Sequence, residues 1–256
     1  PYTMDKTAYG VPNVTEPLDA AAQPLRATVE DNYTQILKDL NAANPLLSKS
    51  NSNGYLNYYA NEALKAKVYL SMGTSEYGKA LAAAEEVIGA NNYQLYSNAE
   101  WVDSWTSQFG KESIFELAMY PNEGDLGNSS LSIYLRRKQH GSSSAQGQFV
   151  VSDYYLNRLA EDSTDVRWGV LSHDEISATH MGSVYKYSGS VNLDGDGKST
   201  ATAVNIKVIR LSEIYLIAAE AALPTDKPKA VTYLNEIRKR APALAPATVS
   251  TITLDM

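Results

Sequence analysis

The chain has 256 residues, which is enough to bury a substantial core in one large domain or two small ones. Its 29 acidic residues outnumber its 22 basic ones, and the net charge of -7 argues against a nucleic-acid surface, because phosphate binding needs clustered cations. Cysteine is absent, which excludes disulfides, thiolate zinc sites and a cysteine nucleophile in this chain.

The first forty-five residues predict an extended lead-in followed by a helix. Residues 1–27 contain four prolines and no sustained hydrophobic period. Thr28 and Asp31 have the spacing of a helix capping box. Apolar residues then recur at helical spacing until Asn44 and Pro45 stop the pattern, so we predict a helix between these signals.

A polar loop over residues 48–54 precedes two further helices. The apolar pattern predicts one helix from about residue 59 to residue 73 and another from about residue 77 to residue 88, and together they form a helical hairpin. Several residues lie near the positions that a tetratricopeptide repeat gives to aromatic, turn and small packing residues. They are Tyr69, Gly73, Tyr77, Ala80 and Ala84.

Residues 90–207 are less regular. Residues 111–120 alternate as a short strand does, and residues 150–162 have the apolar spacing of a helix. Two more strands are predicted at 183–189 and 200–210, on either side of a loop rich in glycine and aspartate.

Residues 208–241 form the most informative stretch, a second predicted helical hairpin across a turn that contains proline. Its first helix has a wide apolar face with small alanines, and its second has a narrower stripe and a basic end that suits the helix dipole. Neither hairpin can bury its apolar face alone, so we expect each to stack on other elements.

The second hairpin contains two sets of residues at characteristic spacings. They are Arg210, Glu213, Tyr215, Leu216, Ala219, Glu220 and Ala221, then Ala230, Leu234, Asn235, Ile237, Arg238, Arg240 and Ala241. With these residues the hairpin resembles the SusD/RagB-like family of outer-membrane nutrient-binding lipoproteins. Segments at 9–18, 26–40, 60–73 and 111–120 resemble the family as well, so the resemblance covers most of residues 9–241.

The predicted fold is mainly α, with tetratricopeptide-like helical hairpins, an irregular loop-rich part and a few short strands. We predict one domain over residues 1–256, divided into a first hairpin region at 28–90, a loop-rich ligand-binding part at 91–207 and a second hairpin at 208–241. Family members usually begin with a signal peptide and a lipidated cysteine and continue beyond the last hairpin. We therefore expect this chain to lack both ends of the family pattern.

The resemblance implies a non-enzymatic function without a cofactor. The protein would capture a nutrient, commonly a glycan and in some branches a peptide, at the outer-membrane surface and deliver it to a TonB-dependent transporter. Contact with the membrane would be only through a lipid anchor that this chain does not contain. The alternative is a helical-repeat scaffold that binds a protein or peptide partner through its concave face.

A glycan site needs aromatic rings for the apolar face of a sugar and planar polar side chains for its hydroxyls. The best such stretch is residues 120–140, although the sequence alone favours a solvated loop with incidental tyrosines over a binding site there. The candidate ligand-binding residues are Tyr120, Asn122, Tyr134, Arg136, Gln139 and His140. The sequence favours core packing for the three tryptophans, Trp101, Trp105 and Trp168.

Other chemistry has weaker signals. Asp194 and Asp196 have the spacing that begins a calcium loop, but Ala203 stands where the bidentate glutamate belongs, so we predict a polar turn and no metal site. The three histidines lack metal-ligand spacing, and no nucleophile elbow or phosphate-binding glycine loop is present. A carboxylate pair of the glycosidase type stays open.

Overall fold

The computed structural model describes residues 2–51, 54–120, 131–135, 149–171, 184–187 and 205–256. Within these ranges the protein is mainly α-helical, with one two-stranded sheet, and the predicted fold class is confirmed. Along the same ranges, no helix combines the length and the apolar character needed to cross a membrane. The division at residues 90 and 207 stays a prediction.

Helix α1 runs over Val29–Ala43 and begins at the predicted capping box. The backbone N–H of Asp31 donates to the hydroxyl of Thr28 at 3.0 Å, and the Thr28 backbone N–H donates to the Asp31 carboxylate at 3.3 Å. These two bonds satisfy backbone donors that the first helical turn leaves free. A short 3-10 turn, Asn44–Leu46, ends the helix at the predicted proline.

The lead-in before α1 is extended, as predicted, and lies against the start of the helix. Asn32 is 8% exposed and holds it, because its side chain accepts from the Val11 N–H and donates to the Val11 carbonyl, both at 2.9 Å. Arg26 donates to the carbonyls of Gly10 and Tyr9 at 2.7 and 2.8 Å. Arg26 and the buried Asn32 therefore help to fix the path of a proline-rich segment.

Gly10 is needed at this contact, because a Cβ there would lie 1.9 Å from the Asn32 Oδ1. We predict that Gly10→Ala lowers the free energy of unfolding by about 1–3 kcal/mol, since the Asn32 side chain must move and lose its bonds to Val11. Gly78→Ala is the matched control. No atom lies within 4 Å of a Cβ at Gly78, and alanine suits a helix better, so urea unfolding should show unchanged or higher stability. Equal stability of the Gly10 variant and the wild type would contradict the prediction.

The first hairpin consists of α2, Tyr58–Met72, and α3, Tyr77–Gly89. Both helices are where the sequence predicts them. Gly73 ends α2 with a φ of 96°, a left-handed value that favours glycine. The helices meet through fully buried alanines, which let the two backbones approach closely: Ala60, Ala63, Ala66, Ala80 and Ala84.

The second hairpin consists of helix Leu211–Ala222 and helix Lys227–Arg238. Asp226 caps the later helix by accepting from the Lys229 N–H at 3.1 Å. Leu216, which the sequence places on the apolar face, is 44% exposed. Positions 214, 217, 218 and 221 already fill the inward side of this helix, so Leu216 projects to the flank.

The two hairpins pack on each other, as expected from their unpaired apolar faces. Helix α3 contacts both α2 and the helix Leu211–Ala222, and one hydrophobic core joins them. Polar contacts complete the interface at its rim. The Tyr233 hydroxyl donates to Glu85 at 2.8 Å, and the Tyr77 hydroxyl donates to Glu220 at 3.2 Å.

Strand β1, Ser113–Leu117, pairs antiparallel with strand β2, Ile206–Arg210. The predicted alternation is present, since Ile114 and Glu116 are buried and Leu117 is 46% exposed. Of the other predicted strand, only residues 184–187 are described, and they include a single bridge from Val184 to Leu171.

The loop-rich part contains several short helical elements. They are α4 at Asn98–Trp101, a 3-10 turn at Asp103–Trp105, α5 at Leu131–Leu135, α6 at Asp153–Leu159 within the predicted helix, and a 3-10 turn at Val166–Val170. The second hairpin then provides α7, Leu211–Ala222, and α8, Lys227–Arg238.

Candidate ligand-binding site

Tyr120 lies just beyond the end of β1 and is 54% exposed. The chain that carries it is held by Asn205, which is 1% exposed and precedes β2. Asn205 accepts from the Met119 N–H at 3.1 Å and donates to the Glu116 carboxylate at 2.9 Å. A buried polar anchor therefore fixes the backbone next to Tyr120 and leaves its ring facing solvent.

A second exposed tyrosine, Tyr55, lies near this end of the strand. The loop before α2 passes close to β1 at Gly54, where a Cβ would lie 3.5 Å from the Ala118 Cβ. Gly54 has a φ of 77°, which only glycine adopts easily. Tyr55, the next residue, is 75% exposed. The sequence prediction missed it, although an aromatic directly after a polar loop is a usable signal.

A small cavity of about 60 Å³ lies between this loop and β1. Ser113 and Glu116 line it, together with Asn51, Gly54 and Phe109. The Ser113 Oγ and the Glu116 Oε1 are buried, with no hydrogen-bond partner in the part of the chain that the structure describes. Buried polar atoms of this kind need a partner, and the cavity has room for a few waters or for one hydroxyl-bearing group of a ligand.

Tyr134 lies on α5 and is half-buried. This helix is tied to two other segments, since the Phe149 N–H donates to the Tyr134 carbonyl at 3.1 Å and the Val184 N–H donates to the Leu135 carbonyl at 3.2 Å. Phe149 is itself 60% exposed. Exposed Phe149 is therefore held next to Tyr134 of α5.

Two of the six predicted ligand-binding residues thus lie in the described part of the protein, on separate segments. The other four, Asn122, Arg136, Gln139 and His140, lie outside the described residues, as do Asp194 and Asp196 of the considered calcium loop. The predicted six-residue site therefore stays a prediction, and Tyr55 joins Tyr120 and Tyr134 as a candidate.

The tryptophans pack inside, as the sequence favours. Trp101 is 2% exposed and Trp105 is 4% exposed, and their rings meet edge to face with centroids 5.6 Å apart. Trp168 is half-buried and donates from its ring nitrogen to the Asp162 carbonyl at 3.2 Å. Trp101 and Trp105 therefore have no exposed ring face for a sugar.

Glu112 is the electrostatic centre that holds the loop-rich part on the hairpins. Its carboxylate is 1% exposed and accepts from Arg210 at the end of β2 and from Arg240 after α8. The Tyr96 N–H also donates to it, at 3.1 Å. Burial opposes ionisation of Glu112, but the two guanidinium groups outweigh burial and hold its pKa below the ordinary value.

Comparisons with known proteins agree with this architecture. The model of the SusD family matches residues 161–253. A solved SusD superfamily protein from Bacteroides thetaiotaomicron is 36% identical with a TM-score of 0.80, and the match covers 100% of this chain and 57% of that one. This chain is a SusD/RagB-like protein.

Two further solved relatives of this SusD/RagB-like chain come from Bacteroides vulgatus. A SusD superfamily protein is 30% identical with a TM-score of 0.85, over 99% of this chain and 56% of its own. A proposed sugar-binding protein is 32% identical with a TM-score of 0.81, over 100% of this chain and 55% of its own. The SusD/RagB-like chain therefore spans a little over half the length of these relatives. No curated protein matches it.

Proposed function

We propose that this SusD/RagB-like protein binds a glycan without chemically changing it. The observation that carries the proposal is its 32% identity, across its whole length, to the proposed sugar-binding protein from Bacteroides vulgatus. More distant proteins of the same fold include one solved with a xylogluco-oligosaccharide and one named as laminarin-binding, at 21% and 22% identity. The exposed tyrosines beside a polar cavity support the same ligand class.

The tyrosines would supply the flat surface, and the polar cavity would supply hydrogen bonds. A sugar ring places its C–H face on an aromatic ring, while its hydroxyls bond to amides and carboxylates. Tyr55 follows Gly54 and Tyr120 lies two residues after Ala118, and Gly54 and Ala118 approach each other closely, with Ser113 and Glu116 in the adjoining cavity. This arrangement provides both kinds of contact along β1.

Alanine substitutions test the aromatic surface. We expect Tyr120→Ala and Tyr134→Ala each to weaken binding of a soluble polysaccharide by roughly threefold to tenfold, because each removes one stacking ring. Retarded migration in gels that contain a soluble polysaccharide identifies a ligand. Calorimetry then measures the loss of affinity for that ligand. Tyr9→Ala is the control, since Tyr9 is 74% exposed on the lead-in segment. Wild-type affinity in both site variants would place the site elsewhere.

We further propose that the protein acts at the cell surface and delivers its ligand to a TonB-dependent transporter. A lipoprotein signal upstream in the reading frame and an adjacent transporter gene would support this role, and a gene with neither would contradict it. Incubation with the bound polysaccharide should release no shorter products. Firm retention of a protein partner, without binding of any glycan, would instead favour the helical-repeat scaffold.

A further inference from the structure

A group of cations surrounds the buried tryptophans. The Arg210 Cζ, the Lys186 Nζ and the Lys207 Nζ lie 4.4, 4.8 and 5.9 Å from the centroid of the Trp105 ring. The Arg240 Cζ lies 5.6 Å from the ring of the neighbouring Trp101. With Arg167, whose charge acts on Lys186, they form what we term the basic cluster: Arg167, Lys186, Lys207, Arg210 and Arg240.

Carboxylates neutralise only part of the basic cluster within the described ranges. Four of them act on its five cations. They are Glu112 between Arg210 and Arg240, Asp165 in a bidentate pair with Arg167, Asp162, whose charge also acts on Arg167, and Glu116 at 3.8 Å from Lys207. Each of these carboxylates is nearly inaccessible to solvent, and Glu112 and Asp165 are already hydrogen-bonded to arginines.

Lys186 forms no ion pair with any carboxylate among the residues that the structure describes. Burial, together with the charges of Arg210, Arg167 and Arg240, lowers its pKa from 10.5 to about 8. A half-buried ammonium beside other cations is unfavourable unless an anion joins it. A bound oxyanion would supply the missing charge and would accept charge-assisted hydrogen bonds.

The backbone holds Lys186 beside the turn that carries Arg167. The Tyr185 N–H donates to the Val170 carbonyl at 2.9 Å, and Val184 bridges Leu171, so the segment with Lys186 runs beside the 3-10 turn Val166–Val170. The Arg167 side chain is 37% exposed, which brings the basic cluster to the surface on this side. A group on a bound ligand can therefore approach these two side chains.

We propose that the basic cluster binds the carboxylate or sulfate group of an acidic glycan, with Lys186 and Arg167 as the donors. The proposal rests on the proposed function, because it names the class of glycan that the protein prefers. It adds charge recognition to the aromatic surface formed by the tyrosines. A neutral glycan would leave the excess charge of the cluster uncompensated.

Matched ligands test the proposal directly. Oligogalacturonate and its methyl ester differ at the charged group, and sulfated and desulfated galactan provide the second pair. We expect the wild type to bind the acidic member of at least one pair about tenfold more tightly. Lys186→Met should remove that preference, because methionine keeps the length and apolar stem of the side chain without its charge.

Lys79→Met is the control for net charge, since Lys79 is exposed on α3 and pairs with Glu76. It should keep the acidic preference. An equal affinity for both members of each pair, or a preference that survives Lys186→Met, would overturn the basic cluster as an anion site and leave glycan capture intact.

If no glycan binds, a comparison of sodium sulfate with sodium chloride tests the anion site independently of glycan capture. Against sodium chloride at equal ionic strength, sulfate should raise the thermal midpoint of the wild type by more than that of Lys186→Met, because a bound anion stabilises the folded state. That result would keep the anion site while glycan capture fails. The same midpoint shift in both proteins would overturn the anion site.

Discussion

Replacing Glu112 by glutamine is expected to lower the free energy of unfolding by about 3–5 kcal/mol, because it breaks a buried ion pair. The carboxylate is 1% exposed and lies between Arg210 and Arg240, whose side chains are 17% and 9% exposed. Glutamine has nearly the same shape but no charge. Two poorly hydrated guanidinium groups would then repel each other without a counter-ion.

Urea unfolding measures this loss, and Glu86→Gln provides the control. Glu86 is 45% exposed and forms a long surface contact with Lys49, so its substitution should cost less than about 1 kcal/mol. Equal losses for the two variants would show that Glu112 is not the electrostatic centre.

The pH dependence of Glu112 has the same origin. Its folded pKa lies below its ordinary value of 4.5, so the stabilisation is present above that value and is lost as the pH falls through the folded pKa. The Glu112→Gln variant should therefore lose less stability than the wild type on acidification below pH 4.5. A parallel acid response of the two proteins would contradict this assignment.

The helices were the predictable part of the fold because their signals are local. Thr28 and Asp31 lie three residues apart, and the alanines of α2 and α3 recur with the helical period. The link between hairpins and loops was not predictable in this way. Glu112 joins Arg210 and Arg240 across 98 and 128 residues of sequence, and no local pattern reports such a pair.

The candidate site shows the same limit. Tyr120 follows a recognisable strand, so its exposure at the strand end could be anticipated. Tyr55 lies sixty-five positions earlier in the chain, and only the close approach of Gly54 to Ala118 brings it near the strand. The basic cluster was hidden for a different reason, since the sequence shows how many lysines and arginines are present but not which of them lack a carboxylate.

The second large expected effect is a rise in the free energy of unfolding with pH, which the deprotonation of Lys186 causes. In the unfolded chain this lysine titrates near 10.5, whereas in the folded protein its pKa is about 8. Between these values the unfolded state binds more protons, so the free energy of unfolding rises with pH. The deprotonation of Lys186 should raise the free energy of unfolding by about 2 kcal/mol between pH 8 and pH 10.

Comparison with Lys186→Met isolates this contribution. Lys207 lies beside the same Trp105 ring and also has a lowered pKa, so part of the pH dependence remains in the variant. Tyr187 packs against Trp105 with a raised pKa, and ionised tyrosine opposes folding above pH 10, which sets the upper limit of the measurement.

At pH 7 the Lys186→Met variant should be as stable as the wild type or more stable, because it no longer holds an unfavourable ammonium. By pH 10 the advantage should have shrunk by about 2 kcal/mol as the wild-type lysine loses its proton. Identical slopes for the two proteins would mean that Lys186 has an ordinary pKa and a counter-ion. The same finding would remove the physical reason for an oxyanion to bind beside it.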